Sequence, residues 1–106
     1  MDTDDTDDID IDAILKALAN PLRRNILGWL KDPEANFAMQ DHPLDIGVCA
    51  GLIDARTGLS QSTVSAHLAT LQRAELVTSK RVGQWIFFKR NEQTIQAFLD
   101  RLHRDL

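Results

Sequence analysis

The chain lacks the features that mark secreted and membrane proteins. It contains one cysteine in 106 residues, so no disulfide bond can form within the chain. No apolar run approaches the roughly 18 residues that a membrane-spanning helix requires. The N-terminus is acidic and has neither the basic start nor the apolar centre of a secretory signal. These absences favour a reducing compartment, and we predict a cytoplasmic protein.

Sequence patterns typical of enzymes are missing as well. The chain has no nucleophile elbow and no glycine-rich phosphate loop. Its three histidines, His42, His67 and His103, are scattered, and they form no recognisable catalytic set with Cys49 and an acidic residue. We therefore predict that the protein is not an enzyme, and the sequence indicates no cofactor.

The composition predicts a single folded domain. Apolar residues make up 43% of the chain, and 106 residues suffice for one hydrophobic core but not for two. The segment Met1–Asp12 contains seven aspartates and no basic residue. We predict that residues 1–8 form a disordered acidic head and that residues 9–106 form the domain.

The charge is unevenly distributed along the chain. The formal net charge is −4, but outside Met1–Asp12 there are 12 basic and nine acidic side chains. Within Arg56–Arg90 there are six basic residues and one acidic residue, Glu75. The local field sets the attraction to phosphate, so a nucleic-acid partner is compatible with the overall charge. An ordinary solvated surface is the alternative explanation of these basic residues.

The stretch Leu59–Arg73 (LSQSTVSAHLATLQR) carries the strongest functional signal. Ser60 is a good helix N-cap, and Val64, Leu68 and Leu71 recur at the spacing of a buried helical face. The opposite face carries small, hydroxylic or basic side chains. Such a helix can enter the major groove of DNA, where Ser, Thr and Gln reach base edges. A merely solvated face is the alternative, but such a face more often carries Glu and Lys.

Hydrophobic periodicity predicts helices joined to a β-hairpin. The predicted helices are Ile9–Ala19, Pro21–Leu30, Ile46–Thr57, Ser60–Glu75 and Glu92–Leu106. The predicted strands are Leu76–Arg81 and Gln84–Arg90, separated by Val82–Gly83. Between the second and third helices, Pro33–Asp45 is predicted to be a loop, with Phe37 and Met39 folded back onto the core. The fold class is therefore mainly α with a small β-hairpin, a winged helix-turn-helix with additional N- and C-terminal helices.

Three segments of this chain resemble the ArsR family of bacterial winged-helix repressors. They are ALANPLRRNILGWL (Ala17–Leu30), LSQSTVSAHLATLQRAELV (Leu59–Val77) and KRVGQWIFFKR (Lys80–Arg90). In that family the first and last helices pair across a two-fold axis, so the resemblance implies a homodimer. The implied interface residues are Ile11, Ile14, Leu15, Leu18, Ile95, Phe98, Leu99 and Leu102. A monomer whose core these two helices close is the alternative.

The resemblance and the helix pattern together predict a sequence-specific transcriptional repressor that binds a palindromic operator as a homodimer. The DNA contacts are expected in the helix Ser60–Glu75 and the wing Leu76–Arg90. The predicted contact residues are Ser60, Gln61, Ser62, Thr63, Ser65, His67, Thr70, Lys80, Arg81 and Gln84. A buried histidine bonded to the backbone is the alternative for His67. Repression, as against activation, is implied by the resemblance alone.

The sequence departs from the family at the place where many members bind a metal. Those members use two cysteines, C-x-C, in the helix before the recognition helix. Counted back from Ser60, Cys49 occupies the first position and Gly51 the second. A single thiolate is a poor metal site because zinc requires about four ligands, so we predict no metal. Cys49 is either a small buried hydrophobe or the reactive thiol of a redox-sensing repressor.

Other interpretations remain open. A loop metal site formed by Asp41, His42, Asp45 and Cys49 is one of them. Release of DNA by an unidentified organic effector at the dimer interface is another. The domain could also be a winged-helix protein-interaction module. An apolar outward face on Ser60–Glu75 would indicate such a module, whereas the face here is small and hydroxylic.

Overall fold

The computed structural model describes residues 9–106, and the predicted acidic head, residues 1–8, lies outside them. The helices are α1 (Ile11–Leu18), α2 (Pro21–Lys31), α3 (Pro33–Asn36), α4 (Ala50–Thr57), α5 (Gln61–Arg73) and α6 (Glu92–Asp105). The strands are β1 (Val48–Cys49), β2 (Val77–Val82) and β3 (Trp85–Arg90), with a short 3₁₀ turn at Leu44–Ile46. The predicted fold class, mainly helical with a small antiparallel sheet, is confirmed.

The second helix begins where the sequence predicts. The Asn20 side chain accepts hydrogen bonds from the backbone N–H groups of Leu22 (2.8 Å) and Arg23 (3.2 Å), and Pro21 occupies the first helical position. A cap of this kind is worth about 1 kcal/mol. It fixes the direction in which the chain leaves α1, and α2 consequently packs against both α1 and α5.

The hydrophobic core forms where α1, α2 and α5 meet the sheet and α6. The predicted inward line of α5 is confirmed, since Val64, Leu68 and Leu71 are at most 2% exposed. The other large buried side chains of the core are Ile14, Ile26, Leu27, Leu30, Phe37, Val48, Ile53, Leu76, Val77, Phe88 and Phe98. One core therefore serves the whole of residues 9–106.

The segment between α2 and α4 differs from the prediction. Pro33–Asn36 forms the short helix α3, and the predicted third helix starts at Ala50 rather than at Ile46. Val48 and Cys49 instead pair antiparallel with Phe88 and Phe87. Phe37 is buried as predicted, but the prediction for Met39 is wrong because its side chain is 68% exposed.

The Gln40 side chain holds this segment in place. Its Nε2 donates to the carbonyl oxygens of His42 (3.1 Å) and Gly47 (3.0 Å). Its Oε1 accepts from the backbone N–H of Cys49 (2.8 Å). One amide group thus satisfies backbone atoms on both sides of the 3₁₀ turn and delivers β1 to the edge of the sheet.

The sheet has the strand order β1-β3-β2, and β2 pairs with β3 from Val77↔Arg90 to Val82↔Trp85. The predicted hairpin is confirmed, with its turn at Gly83–Gln84, one residue later than expected. Successive side chains alternate between the two faces of a strand. Phe88 consequently lies in the core, whereas Phe87 is buried on the other face, with its ring centroid 5.0 Å from that of His42.

The last helix is fixed at its start by side chains. Asn91 Oδ1 accepts from the Thr94 backbone N–H (3.3 Å), and Arg90 forms an ion pair with Glu92 (2.7 Å). The hydrogen bond from Arg90 lowers the pKa of the Glu92 carboxyl group. Because Arg90 also donates to the carbonyl oxygen of Leu27 (3.3 Å), it joins the end of β3 to α2 and α6.

Replacing Gly47 by alanine is expected to destabilise the protein. Gly47 has φ 118°, and an added Cβ would lie 2.8 Å from the carbonyl oxygen of Phe88. Backbone strain and this clash with a paired strand predict a loss of about 2–4 kcal/mol in the free energy of unfolding. Urea denaturation followed by circular dichroism measures it.

Gly58→Ala is the matched control. Gly58 also has a positive φ, 73°, but an added Cβ would meet no atom within 4 Å. We expect a loss of about 1 kcal/mol from the left-handed conformation alone. Equal losses for the two variants would show that the contact between Gly47 and β3 contributes nothing.

Candidate nucleic-acid interface

The exposed face begins at the N-terminus of α5. Ser60 Oγ accepts from the Thr63 backbone N–H (3.2 Å) and donates to the Thr63 hydroxyl (2.8 Å). The N-cap predicted at Ser60 is confirmed, but the helix ends at Arg73. Glu75 lies outside it, with φ 62° in the left-handed region, and turns the chain towards β2.

The side chains predicted to contact bases lie together at this end of α5. Gln61, Ser62, Thr63 and Ser65 are all exposed. Thr70, two turns further on, is half-buried and donates to the carbonyl oxygen of Ala66 (3.1 Å). The surface offers hydroxyl and amide groups, without an acidic side chain between residues 61 and 73. Such a surface is suited to both base edges and phosphates.

A tight turn sets the angle between α4 and α5. Gly58 adopts φ 73°, and its N–H donates to the carbonyl oxygen of Asp54 (3.1 Å). The Thr57 hydroxyl donates to the same oxygen (2.8 Å) and accepts from the Leu59 N–H (3.0 Å). Burial raises the pKa of the Asp54 carboxyl group. The two helices and this turn form the predicted helix-turn-helix.

The predicted wing contacts lie on the exposed part of the hairpin. Lys80, Arg81 and Gln84 are exposed, and Arg81 Nε donates to the carbonyl oxygen of Gly83 (3.2 Å). Lys80 is paired with Phe87 and Arg81 with Ile86, so the two basic side chains lie on opposite faces of the hairpin.

A side-chain hydrogen bond joins the hairpin to α5. Gln72 Nε2 donates to the hydroxyl of Ser79 (3.0 Å). Ser79 belongs to β2, which also packs against α5. The hairpin and the helix therefore keep a fixed relative position, which a surface that contacts two parts of one DNA site requires.

His67 makes a contact that sequence reasoning missed. Its side chain is half-buried, and its Nδ1 lies 3.0 Å from Nη1 of Arg23 on α2. The alternative considered for His67, a bond to the backbone, is not the contact observed. Arg23 is half-buried, and its Nε donates to the carbonyl oxygen of Ala17 (2.7 Å). The two residues are far apart in the sequence, so no local pattern reveals their contact.

The eight predicted interface residues on the terminal helices fall into three groups by exposure. Ile14 (0% exposed) and Phe98 (5%) are buried in the core of the protomer. Leu15 (46%) and Leu99 (50%) are exposed. The remaining four, Ile11, Leu18, Ile95 and Leu102, are half-buried.

The six residues that keep some exposed surface form one apolar stripe on each helix, and four of them also pack against the core. Ile11, Leu15 and Leu18 are spaced i, i+4, i+7 on α1, and Ile95, Leu99 and Leu102 repeat that spacing on α6. Ile14 and Phe98 lie outside these stripes, in the protomer core. The sequence does not distinguish them, because a core position and an interface position are equally apolar in it.

Cys49 lies on β1 directly before α4, not within a helix as the predicted helix Ile46–Thr57 implied, and it is half-buried. A Cβ added at Gly51 would lie 4.0 Å from its sulfur, so Gly51 does stand beside the thiol. Among residues 9–106, no group of three His, Cys, Asp or Glu side chains could hold a metal ion. The loop site at Asp41, His42, Asp45 and Cys49 is therefore not formed, and His42 packs instead against two aromatic rings.

The sequence matches the model of the bacterial regulatory protein family arsR over residues 49–79, which span α4, the turn and α5. The HTH-type transcriptional regulator YbzH of Bacillus subtilis is 38% identical over 88% of this chain and 95% of its own length. The transcriptional activator HlyU of Vibrio cholerae is 34% identical over 86% of this chain and 72% of its own. The transcriptional repressor SdpR of Bacillus subtilis is 30% identical over 78% of each chain.

Solved structures of transcriptional regulators also superpose on this chain. HlyU of Vibrio cholerae superposes with a TM-score of 0.59 at 33% identity, covering 87% of this chain and 86% of its own. The homodimeric winged helix-turn-helix DNA-binding domain Mb0332 of Mycobacterium bovis superposes with a TM-score of 0.63 at 27% identity, covering 90% of this chain and 78% of its own.

Within the described residues, none of the helices is both long and apolar enough to span a bilayer.

The fold, the exposed polar end of α5 and the relatives all indicate the same class of protein. The family and these relatives are DNA-binding transcriptional regulators, not enzymes. The chain belongs to the ArsR family of winged helix-turn-helix transcriptional regulators.

Proposed function

We propose that the protein is a cytoplasmic, sequence-specific repressor that binds a palindromic operator as a homodimer. The helix Ser60–Glu75 would contact base edges and the wing Leu76–Arg90 the adjacent backbone. One observation carries the proposal: the first turns of α5 expose four polar, uncharged side chains next to a basic hairpin. A helix shaped only for solubility more often carries Glu and Lys at such positions.

The apolar stripes on α1 and α6 support the homodimer. Leu15 and Leu99 are exposed, and each is the middle residue of an apolar i, i+4, i+7 pattern on its helix. A contact with a second subunit would cover these apolar surfaces. Mb0332 is described as homodimeric, which agrees with this use of the surface. A two-fold dimer would present two α5 helices to half-sites about 34 Å apart, one turn of duplex.

Repression is proposed from the family resemblance. SdpR is named a repressor and HlyU an activator, so both signs occur among the relatives. A dimer that occupies its site through two inserted helices excludes other proteins from that stretch of DNA. The sign of regulation would follow from a reporter gene under the control of the chain's own upstream DNA, with repression as the expected result.

Two classes of variant should separate positioning from sequence recognition. Lys80→Ala or Arg81→Ala is expected to weaken binding to all DNA and to reduce the slope of log K against log salt by about one unit each. Gln61→Ala is expected to relax sequence preference instead, because its amide serves a base edge. Fluorescence anisotropy at several salt concentrations, with operator and random duplexes, measures both effects.

The matched control for these variants is Lys31→Ala, which removes an exposed basic residue in the last turn of α2. It should leave the slope unchanged. Equal losses on operator and random DNA after Gln61→Ala would contradict the base contact. A wild-type protein that shifts no DNA at low salt would contradict the proposal and favour the protein-interaction module.

Charge placed on the apolar stripe should separate the subunits. Leu99→Glu is expected to convert the dimer to monomer and to lower operator affinity at least tenfold, since each half-site would then bind alone. Sedimentation velocity and anisotropy on the same samples test both parts. Met39→Glu, a change at another exposed apolar side chain outside the stripes, is the control and should remain dimeric. A dimeric Leu99→Glu variant would contradict the interface.

We propose a structural role for Cys49, with redox sensing as the competing hypothesis. Its backbone N–H donates to Oε1 of Gln40. Cys49 is the last residue of β1, and its side chain is half-buried. Peroxide or polysulfide is therefore expected to leave operator binding unchanged in both the wild type and Cys49→Ser. Release of DNA by the wild type but not by Cys49→Ser, measured by anisotropy, would instead establish the thiol as the sensor.

A further inference from the structure

The Arg23 side chain joins the end of α1 to the middle of α5. Its Nε donates to the carbonyl oxygen of Ala17 (2.7 Å) and its Nη2 to that of Lys16 (3.2 Å). Its Nη1 lies 3.0 Å from Nδ1 of His67. A cation at the last carbonyl groups of α1 is favoured by the helix dipole. The guanidinium is thus held from one side and presents one of its remaining donors, at Nη1, to the imidazole.

This contact determines which nitrogen of His67 carries the proton. A guanidinium has donors and no acceptor, so Nδ1 must accept. The proton of the neutral ring consequently lies on Nε2. In this arrangement Nε2 is the donor that the neutral ring has left for another partner.

The position of His67 on α5 suggests what this donor binds. His67 follows Thr63 by four residues and precedes Thr70 by three, so the three side chains share one flank of the helix. That flank adjoins the exposed end of α5. Among residues 9–106, the contact with Arg23 is the one hydrogen bond of the His67 ring. Phosphate oxygens accept hydrogen bonds from side chains of this kind.

We propose that His67 donates a hydrogen bond from Nε2 to a DNA backbone phosphate and that Arg23 is the positioning residue that holds it in this tautomer. The inference rests on the proposed function, since it assigns a role within the same DNA-binding surface. A neutral donor displaces no counterion, so its removal lowers affinity equally at every salt concentration. This behaviour distinguishes His67 from Lys80 and Arg81.

The tautomer can be measured directly in the free protein. Long-range ¹H–¹⁵N correlation spectra at pH 8 should show the His67 proton on Nε2 in the wild type and a mixture of tautomers in Arg23→Gln. Arg24→Gln is the matched control, because Arg24 donates to the carbonyl oxygen of Leu18 on α1 without contacting His67. Its spectrum should match that of the wild type. A wild-type proton on Nδ1 would overturn the assignment.

Two isosteres test the contact with phosphate. The amide nitrogen of His67→Gln can reach the place of Nε2, whereas that of His67→Asn reaches only the place of Nδ1. We expect His67→Gln to bind operator within about twofold of the wild type. His67→Asn should lose about fivefold, the equivalent of one hydrogen bond, on operator and random DNA alike and with an unchanged salt slope. Thermal denaturation checks that both variants fold.

Three outcomes decide between the inference and the function on which it rests. Wild-type binding with no loss in His67→Asn would overturn the phosphate contact and leave the proposed function intact. A salt slope reduced by about one unit in His67→Asn would show a charged imidazolium contact and would also overturn it. A wild-type protein that binds no DNA would overturn the proposed function together with this inference.

Discussion

Burial of one line of α5 is the interaction on which the rest of the structure depends. Val64, Leu68 and Leu71 are almost completely removed from water, and side chains of this size contribute about 1.5–3 kcal/mol each on burial. A domain of this size has a net stability of only about 5–15 kcal/mol, so truncating any one of these side chains would remove a substantial fraction of it. Burial of this line also fixes the rotation of the helix about its axis. The hydroxyl and amide side chains of the first turns face solvent because the aliphatic line faces inward.

The sequence predicted the elements that depend on local capping residues or on a regular repeat of apolar side chains. The start of α2 at Asn20–Pro21, the inward line of α5 and the hairpin are examples. The short helix α3 was missed although Asp32–Pro33 carries the same signal, since Asp32 accepts from the Ala35 N–H (3.2 Å). Strand β1 could not be predicted in this way. Its two residues are extended only because β3, almost forty positions later, offers a free edge.

In the candidate site, too, the features that follow from a regular repeat could be predicted, whereas those that depend on long-range packing could not. The exposed residues of α5 follow from its pattern, since a helix with one apolar line must present the other to water. The terminal helices show the limit: Ile14 and Leu15 are both apolar, and only packing separates the core from the outer stripe. The contact between Arg23 and His67 lies beyond any local pattern, because the fold alone brings α2 and α5 together.

The two neighbouring phenylalanines of β3 limit how far the hairpin can move. Phe87 and Phe88 are buried on opposite faces, so the strand is clamped from both sides at that point. From Arg81 to Ile86 the chain is exposed. The exposed end of the hairpin therefore projects about three residues, or ~10 Å, from the point where β3 is buried. The number of residues in the strands sets how far the tip projects from the core. Lengthening each strand by two residues would move the tip outward by about 7 Å without changing which side chains lie on which face.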